Sequence, residues 1–173
     1  FPERPVVDVD NAAAAIAAWE RELRPPARYD RWAAGDDAAL DDDEQRGALT
    51  FMATGCMSCH QAGLFGGLMF QKAGAVKPWF NTTDKGRAAV TGNVDDEFVF
   101  KVPSLRNVAL TAPYFNDGSV EELHEAVRRM ARHQLGKELS DTDVARIVAF
   151  LNTLSADVDG DEFQDLVAAP ALP

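Results

Sequence analysis

Cys56-Met57-Ser58-Cys59-His60 is the stretch of this 173-residue chain whose residue types and spacing announce a definite chemistry. In C-x-x-C-H the two thiols can bond the two vinyl carbons of a porphyrin, and the next imidazole then lies beneath the iron as proximal ligand. The pattern therefore names haem c as cofactor and Cys56, Cys59 and His60 as the residues that hold it. A zinc half-site would need a second Cys/His pair, and a thioredoxin-like redox pair a βαβ setting. Neither accompanies the motif, and the chain's two cysteines are both inside it.

The ligand facing His60 decides between electron transfer and open-iron chemistry. Candidates are Met52, Met57, Met69, Met130, His124 and His133. Met57 lies inside the attachment loop and Met52 one helical turn before it. Spacing gives Met130 a slight lead over Met69, because it falls on the apolar stripe of a downstream helix where a thioether can be held against iron. The two histidines fall off that stripe. A His/Met pair would raise the potential and close the iron to substrate.

Bulk properties narrow the setting. The length suits one domain with appendages. Hydrophobic content of 46% with 26% charged residues is an ordinary soluble composition, and no apolar run approaches the ~20 residues that span a bilayer. A formal net charge of −11 opposes binding to nucleic acid and favours a neutral or basic protein partner. The chain opens on Phe1 without a signal peptide and is expected to be a mature product or fragment with its export signal upstream. Haem attachment through thioethers points to the periplasm.

The elements that must position the motif can be read in order. Residues 1–10 read as an extended lead-in. Asn11 is expected to cap a helix reaching about Leu23, with Ile16, Trp19 and Leu23 on one face and Pro25-Pro26 ending it. The cluster Asp41-Asp42-Asp43-Glu44 precedes a helix over 44–53 and complements its dipole. Gly47 of that helix would admit a close neighbour, and Phe51 would pack beside it.

Gly63, Gly66, Gly67 and Gly74 mark a loop whose Leu64, Phe65, Leu68, Met69 and Phe70 are expected to wall the haem edge. Residues 77–100 read as a second loop, and Phe98–Val102 as a short strand or extended run. Arg106 is a candidate clamp for a haem propionate, its planar fork matching a carboxylate. Ser119 and Glu122 form a capping-box pattern that predicts a helix from Val120 to Gln134, with Leu123, Val127 and Met130 on one face and Gly136 as its stop. Ser140 with Asp143 opens a final helix with a Val144, Ile147, Val148, Leu151 stripe, expected to cross the earlier helix at Gly47. Asp157–Asp161 lacks the twelfth-position glutamate of a calcium loop and reads as a solvated turn.

Three stretches in combination, RGALTFMATGCMSCH, FKVPSLRNVALTAPYFNDGSVEELHEAV and MARHQLGKELSDTDVARIVAFLNTL, resemble the C-terminal haem domain of bacterial dihaem cytochrome c peroxidases, relatives of the MauG proteins. The resemblance extends over DNAAAAIAAWERELRPP and RYDRWAAGDDAAL and so covers most of the chain. It implies an all-α, class I cytochrome c-like fold with enlarged loops and an extra N-terminal helix, with residues 1–43 as helix and linker packing on a haem domain at 44–155, and a tail at 156–173.

The resemblance also implies that the domain carries the high-potential, electron-accepting haem, with His60 and Met130 as axial ligands and Arg106 at a propionate. MauG proteins place a tyrosine at the Met130 position. Thr111 and Pro113 match positions whose carbonyls help hold a calcium ion between the two haem domains of the family. Asn116 stands where the family has a histidine. The family's second C-x-x-C-H, which marks its peroxide-cleaving haem, has no counterpart in this sequence.

The expected function is the electron-accepting half of a dihaem cytochrome c peroxidase. Its partners would be a small donor (a cytochrome c or cupredoxin), a peroxidatic haem domain of the same or another chain, and a second copy in a homodimer. The alternatives are a free-standing monohaem carrier and an enzyme whose Met130 dissociates to open the iron.

Overall fold

The computed structural model describes residues 8–22 and 26–156. The start of the lead-in, the expected helix end at Leu23 and Pro25, and the Asp157–Asp161 turn lie outside the described residues. Ala27–Ser155 form one compact unit, so residues 27–43 fold with the haem-motif region. The described residues before Ala27 belong to a separate unit, whose helix α1 runs Val9–Glu22. Its cap is Asp8 and not Asn11: the Asp8 carboxylate accepts from the Asn11 N–H at 2.7 Å. Asn11 thereby becomes a residue of the first turn, where a donor N–H needs exactly such an acceptor from upstream.

The compact unit is helical, with one small sheet. Helix α2 (Arg28–Ala33) leads through a 3₁₀ turn to α3 (Asp42–Thr54), which delivers the chain to the motif. The acidic cluster does more than offset a dipole: Asp41 caps α3 by accepting from the Glu44 N–H at 2.9 Å, and the Glu44 carboxylate accepts from the Asp41 N–H at 3.0 Å. This reciprocal box satisfies two orphan donors. Glu44, itself buried, also pairs with Arg28 of α2. Helix α5 (Leu123–Leu135) and helix α6 (Asp141–Asn152) follow, and the single-turn α4 (Ala88–Thr91) lies in the long loop between motif and α5.

Helix α6 crosses α3 at Gly47, as the sequence predicts. A Cβ built there would stand 2.0 Å from the Arg146 carbonyl oxygen and 2.9 Å from the Phe150 Cβ, so only glycine permits the approach. Around the crossing, Ala48, Phe51, Ile147, Phe150, Leu151 and Leu154 form the core with Phe65 from the glycine loop. Tyr29 of α2 meets Phe65 edge-on, with ring centroids 4.9 Å apart, and Phe51 packs on Phe150 at 5.4 Å. Such pairs add to area burial. Ser140 caps α6, its hydroxyl oxygen accepting from the Asp143 N–H at 3.1 Å.

Two expectations change. The Ser119–Glu122 pattern does not start α5, which begins at Leu123 with Glu122 at its cap position and no side-chain cap bond. The Val120 carbonyl is already taken by the Tyr114 N–H at 2.6 Å in an antiparallel bridge, which holds the segment extended. In addition, β1 (Phe70–Lys72) pairs antiparallel with β2 (Val99–Lys101), with Phe70 opposite Lys101. The β2 run was readable; the β1 partner was masked by the glycines around it.

Candidate haem site

Gly55, with φ of 101°, ends α3 and turns the chain into a 3₁₀ segment, Cys56–Ser58, that bears the first thiol. Lys137 reinforces this helix end by donating to the Thr54 carbonyl at 2.7 Å. The His60 N–H then donates to the Cys56 carbonyl at 3.0 Å, which closes the motif on itself. Cys56, Cys59 and His60 all face one cavity of about 450 Å³. Its walls are the C-terminal end of α3, residues 71–73 and 100–105 on and after the sheet, the 111–117 segment, the apolar face of α5 and, from α6, Ile147 and Leu151.

The imidazole of His60 is oriented by the backbone. Its Nδ1 lies 3.0 Å from the Phe65 carbonyl oxygen, which sets Nδ1 as the protonated nitrogen and leaves the Nε2 lone pair for a metal. Desolvation lowers the pKa of His60 below the ordinary range, against the pull of the Phe65 and Pro103 carbonyls, and so favours the neutral form that binds iron. Burial pushes the Cys56 thiol up to about 11. Conversion to a thioether would remove the ionisable group from this desolvated position altogether.

The turn that supplies the Phe65 carbonyl is tightly specified. Phe65 has φ of 51° and Gly66 of 138°, and a Cβ on Gly66 would stand 2.0 Å from the Pro103 carbonyl oxygen. The Gly67 N–H donates to Val102 at 2.8 Å, and the Leu105 N–H reaches the same Phe65 carbonyl at 3.2 Å.

The structure sorts the sixth-ligand candidates. Met130 lines the cavity together with Leu123 and Val127 of the same α5 stripe. Met52, Met57, Met69, His124 and His133 do not line it. His133 instead approaches the Pro78 carbonyl through Nδ1 at 2.6 Å and meets Trp79 edge-on.

The loop expected to wall the haem edge does so differently. Leu64, Phe65, Leu68, Met69 and Phe70 are all outside the lining; Phe65 is in the core, while Leu68 and Phe70 are 68% and 56% exposed. Gln71, Lys72, Ala73 and Phe100 form that wall instead, because the sheet turns the loop's far end toward the cavity. Trp79 and Phe115, which meet edge-on at 5.1 Å, also line it; neither stands in a periodic pattern that sequence reasoning could have used.

Arg106 is not among the lining residues. Both terminal nitrogens bond the Asp30 carboxylate at 2.6 Å, and Nε donates to the Gly63 carbonyl at 2.9 Å. The fork matches a carboxylate as expected, but the carboxylate is Asp30 of α2, so the propionate assignment gives way to an internal one.

Thr111 and Pro113 lie on the cavity wall. No group of three or more His, Cys, Asp or Glu able to hold a metal occurs among the described residues. Asn116 also lines the cavity, and its side-chain amide donates to Asp84. No helix among the described residues is long and apolar enough to cross a membrane.

The donor set fits a c-type haem: two thiols, an imidazole with its second nitrogen already committed, and a thioether on the cavity wall. The sequence model of the cytochrome c family matches residues 44–155. The chain is 45% identical over 172 residues to the cytochrome c551 peroxidase of Pseudomonas aeruginosa, covering 96% of this chain and 48% of that protein. It is 44% identical over 153 residues to the cytochrome c551 peroxidase of Nitrosomonas europaea, covering 87% of this chain and 46% of that protein. The crystal structure of a MauG-like protein associated with microbial copper homeostasis superposes with a TM-score of 0.72 at 26% identity, over 96% of this chain and 61% of that one. The chain thus spans about half the length of the curated relatives it matches. It belongs to the cytochrome c family and is homologous to the bacterial cytochrome c peroxidases and their MauG relatives.

Proposed function

We propose that this chain is the electron-accepting haem c domain of a periplasmic dihaem cytochrome c peroxidase, holding one haem. The bound iron would supply one-electron redox chemistry, two turns of which, with two protons, reduce hydrogen peroxide to two waters at a peroxidatic haem in another domain. Cys56 and Cys59 would tether the ring, and His60 through Nε2 and Met130 through its thioether would hold the iron. The apolar α5 face excludes water from that side, and a thioether there favours the reduced state.

One observation carries this reading: of the six candidate ligands, only Met130 shares the cavity of Cys56, Cys59 and His60. A ligand on each side leaves no open position for peroxide, which fits electron transfer better than catalysis. The electron donor would be a small cytochrome c or cupredoxin. A calcium ion, where bound, would meet this domain at the carbonyls of Thr111 and Pro113.

The test is to express the chain with a haem-attachment system and measure it alone and with a separately expressed peroxidatic haem domain. The expected result is covalent pigment, a low-spin spectrum with a thioether-to-ferric charge-transfer band, no peroxide reduction alone, and peroxide reduction with the second domain. A high-spin spectrum with peroxide turnover by the chain alone would reverse the assignment. Electron exchange with a donor, but no activity with any peroxidatic domain, would make it a free-standing carrier.

A further inference from the structure

The Asp30–Arg106 pair lies outside the cavity, at the turn that carries the Phe65 carbonyl. The Arg106 side chain is only 8% exposed, although the cavity does not include it. Its guanidinium lies over the rings of Tyr29 and Phe65, 5.8 and 5.9 Å from their centroids. All three nitrogens of the fork are engaged: the two terminal nitrogens on Asp30, and Nε on the Gly63 carbonyl. The next carbonyl, that of Leu64, accepts from the Ser104 hydroxyl at 2.8 Å, and that hydroxyl in turn accepts from the Arg106 N–H at 3.1 Å. The carbonyl after that belongs to Phe65 and receives His60 Nδ1.

Three consecutive carbonyls, 63 to 65, are thus fixed by the 104–106 segment or by His60, with Arg106 anchored to α2 through Asp30. We propose that Asp30 and Arg106 are positioning residues for the axial histidine. They hold the 63–65 turn so that the Phe65 carbonyl meets Nδ1 of His60 at hydrogen-bond distance. The inference rests on His60 as an iron ligand, as in the function proposed above.

Its physical consequence lies in the strength of the bond at Nδ1. A firm Nδ1–H···O=C bond makes the imidazole a better donor and stabilises the oxidised iron, which lowers the potential. Slackening the turn weakens that bond and raises the potential. Asp30 itself is held in place by a second duty, since its carboxylate caps α2 by accepting from the Ala27 N–H at 2.8 Å.

The test uses the haem-loaded full chain with Asp30→Asn, Arg106→Gln and Arg106→Lys. Midpoint potential, the hyperfine-shifted resonances of the His60 ring and the melting midpoint are measured for each. Positioning predicts that both neutral variants shift the potential upward, and that Arg106→Lys, which keeps the charge but loses the fork, shifts it upward less. The His60 ring resonances move in all three.

Through-space charge alone predicts opposite signs, up for Asp30→Asn and down for Arg106→Gln, with Arg106→Lys unchanged; that pattern overturns the proposal. So does a fall in melting midpoint with potential and ring resonances unmoved. Should Arg106→Gln fail to mature, Arg106→Lys decides: a rise supports the proposal and no change overturns it. A wild-type spectrum without imidazole ligation would instead defeat the underlying haem assignment, and is seen before any variant is made.

Discussion

Gly47 of α3 and Arg146 of α6 are in backbone contact so close that one added methyl group would fall 2.0 Å from the Arg146 carbonyl oxygen. This contact sets the crossing of the two helices and, through α3, the point at which the chain reaches Cys56. Gly47→Ala is therefore expected to destabilise the protein even though alanine is the better helix former. Overpacking of this kind costs about 3 kcal/mol, against about 1 kcal/mol gained in propensity. The net loss, about 2 kcal/mol, corresponds to a fall in melting midpoint of about 5 °C. Leu49→Ala on the same helix, at a 62% exposed position, should change stability by no more than about 0.5 kcal/mol. Thermal melts of the two haem-loaded variants check the pair.

Glu44 joins two helices by two means, and graded substitutions separate them. Glu44→Gln keeps an acceptor for the Asp41 N–H but gives up the charged pair with Arg28; Glu44→Ala gives up both. The Arg28 guanidinium is held above its usual pKa by hydrogen bonding to Glu44. Arg28 is half exposed, which limits the pair to about 1 kcal/mol, and loss of the cap adds about 1 kcal/mol more. Denaturant titration is expected to rank wild type above Glu44→Gln above Glu44→Ala. Equal losses in the two variants would place all of the effect in the pair.

How much of this was legible before the fold is known depends on the range of each interaction. The motif is covalent and local, so Cys56, Cys59 and His60 are plain from their spacing, and α6 is plain from Ser140 and the stripe that follows. The Met130 stripe was readable too, although its position on the cavity wall is a tertiary fact. Arg106 shows the limit. Its residue type correctly predicted a bidentate carboxylate, but the partner is 76 positions away and is chosen by the packing of α2 against the glycine loop.

The loop misled in the same manner. Apolar residues between glycines suggested a wall for the cofactor, yet the backbone of that loop does the work, through Phe65, while Leu68 and Phe70 face outward. Pattern reasoning follows side chains and has little to say about a carbonyl.

Gly66 turns this backbone role into a prediction. Its φ of 138° is poorly tolerated by any L-residue with a side chain, and a Cβ would press on the Pro103 carbonyl. Strain and clash together amount to on the order of 3 kcal/mol. Relief requires the 65–67 turn to move, and with it the acceptor for His60. Gly66→Ala should thus lower the yield of covalently loaded protein and shift the His60 ring resonances. Gly67→Ala, where a Cβ meets nothing within 4 Å, should retain loading despite its positive φ of 82°. Loading is read from the absorbance of the haem-bearing band on a denaturing gel and from intact mass.

Met130 gives the most direct check on the iron's surroundings. It lies in the middle of α5, between Val127 and Ala131 on the cavity-facing side, in a helix held at its end by Gly136 in the left-handed region. Met130→Ala should leave α5 intact, since alanine is a strong helix former, while deleting the thioether from the wall. The expected outcome is loss of the thioether-to-ferric band and binding of exogenous imidazole or cyanide without the slow step that displacement of a protein ligand imposes. The potential should fall by on the order of a tenth of a volt, out of the ~0.8 V spanned by known axial ligand sets. Met69→Ala, whose side chain is outside the cavity, should change none of these. An unchanged band in Met130→Ala with its loss in Met69→Ala would exchange the two roles and remove the structural argument for a closed sixth position on the α5 side.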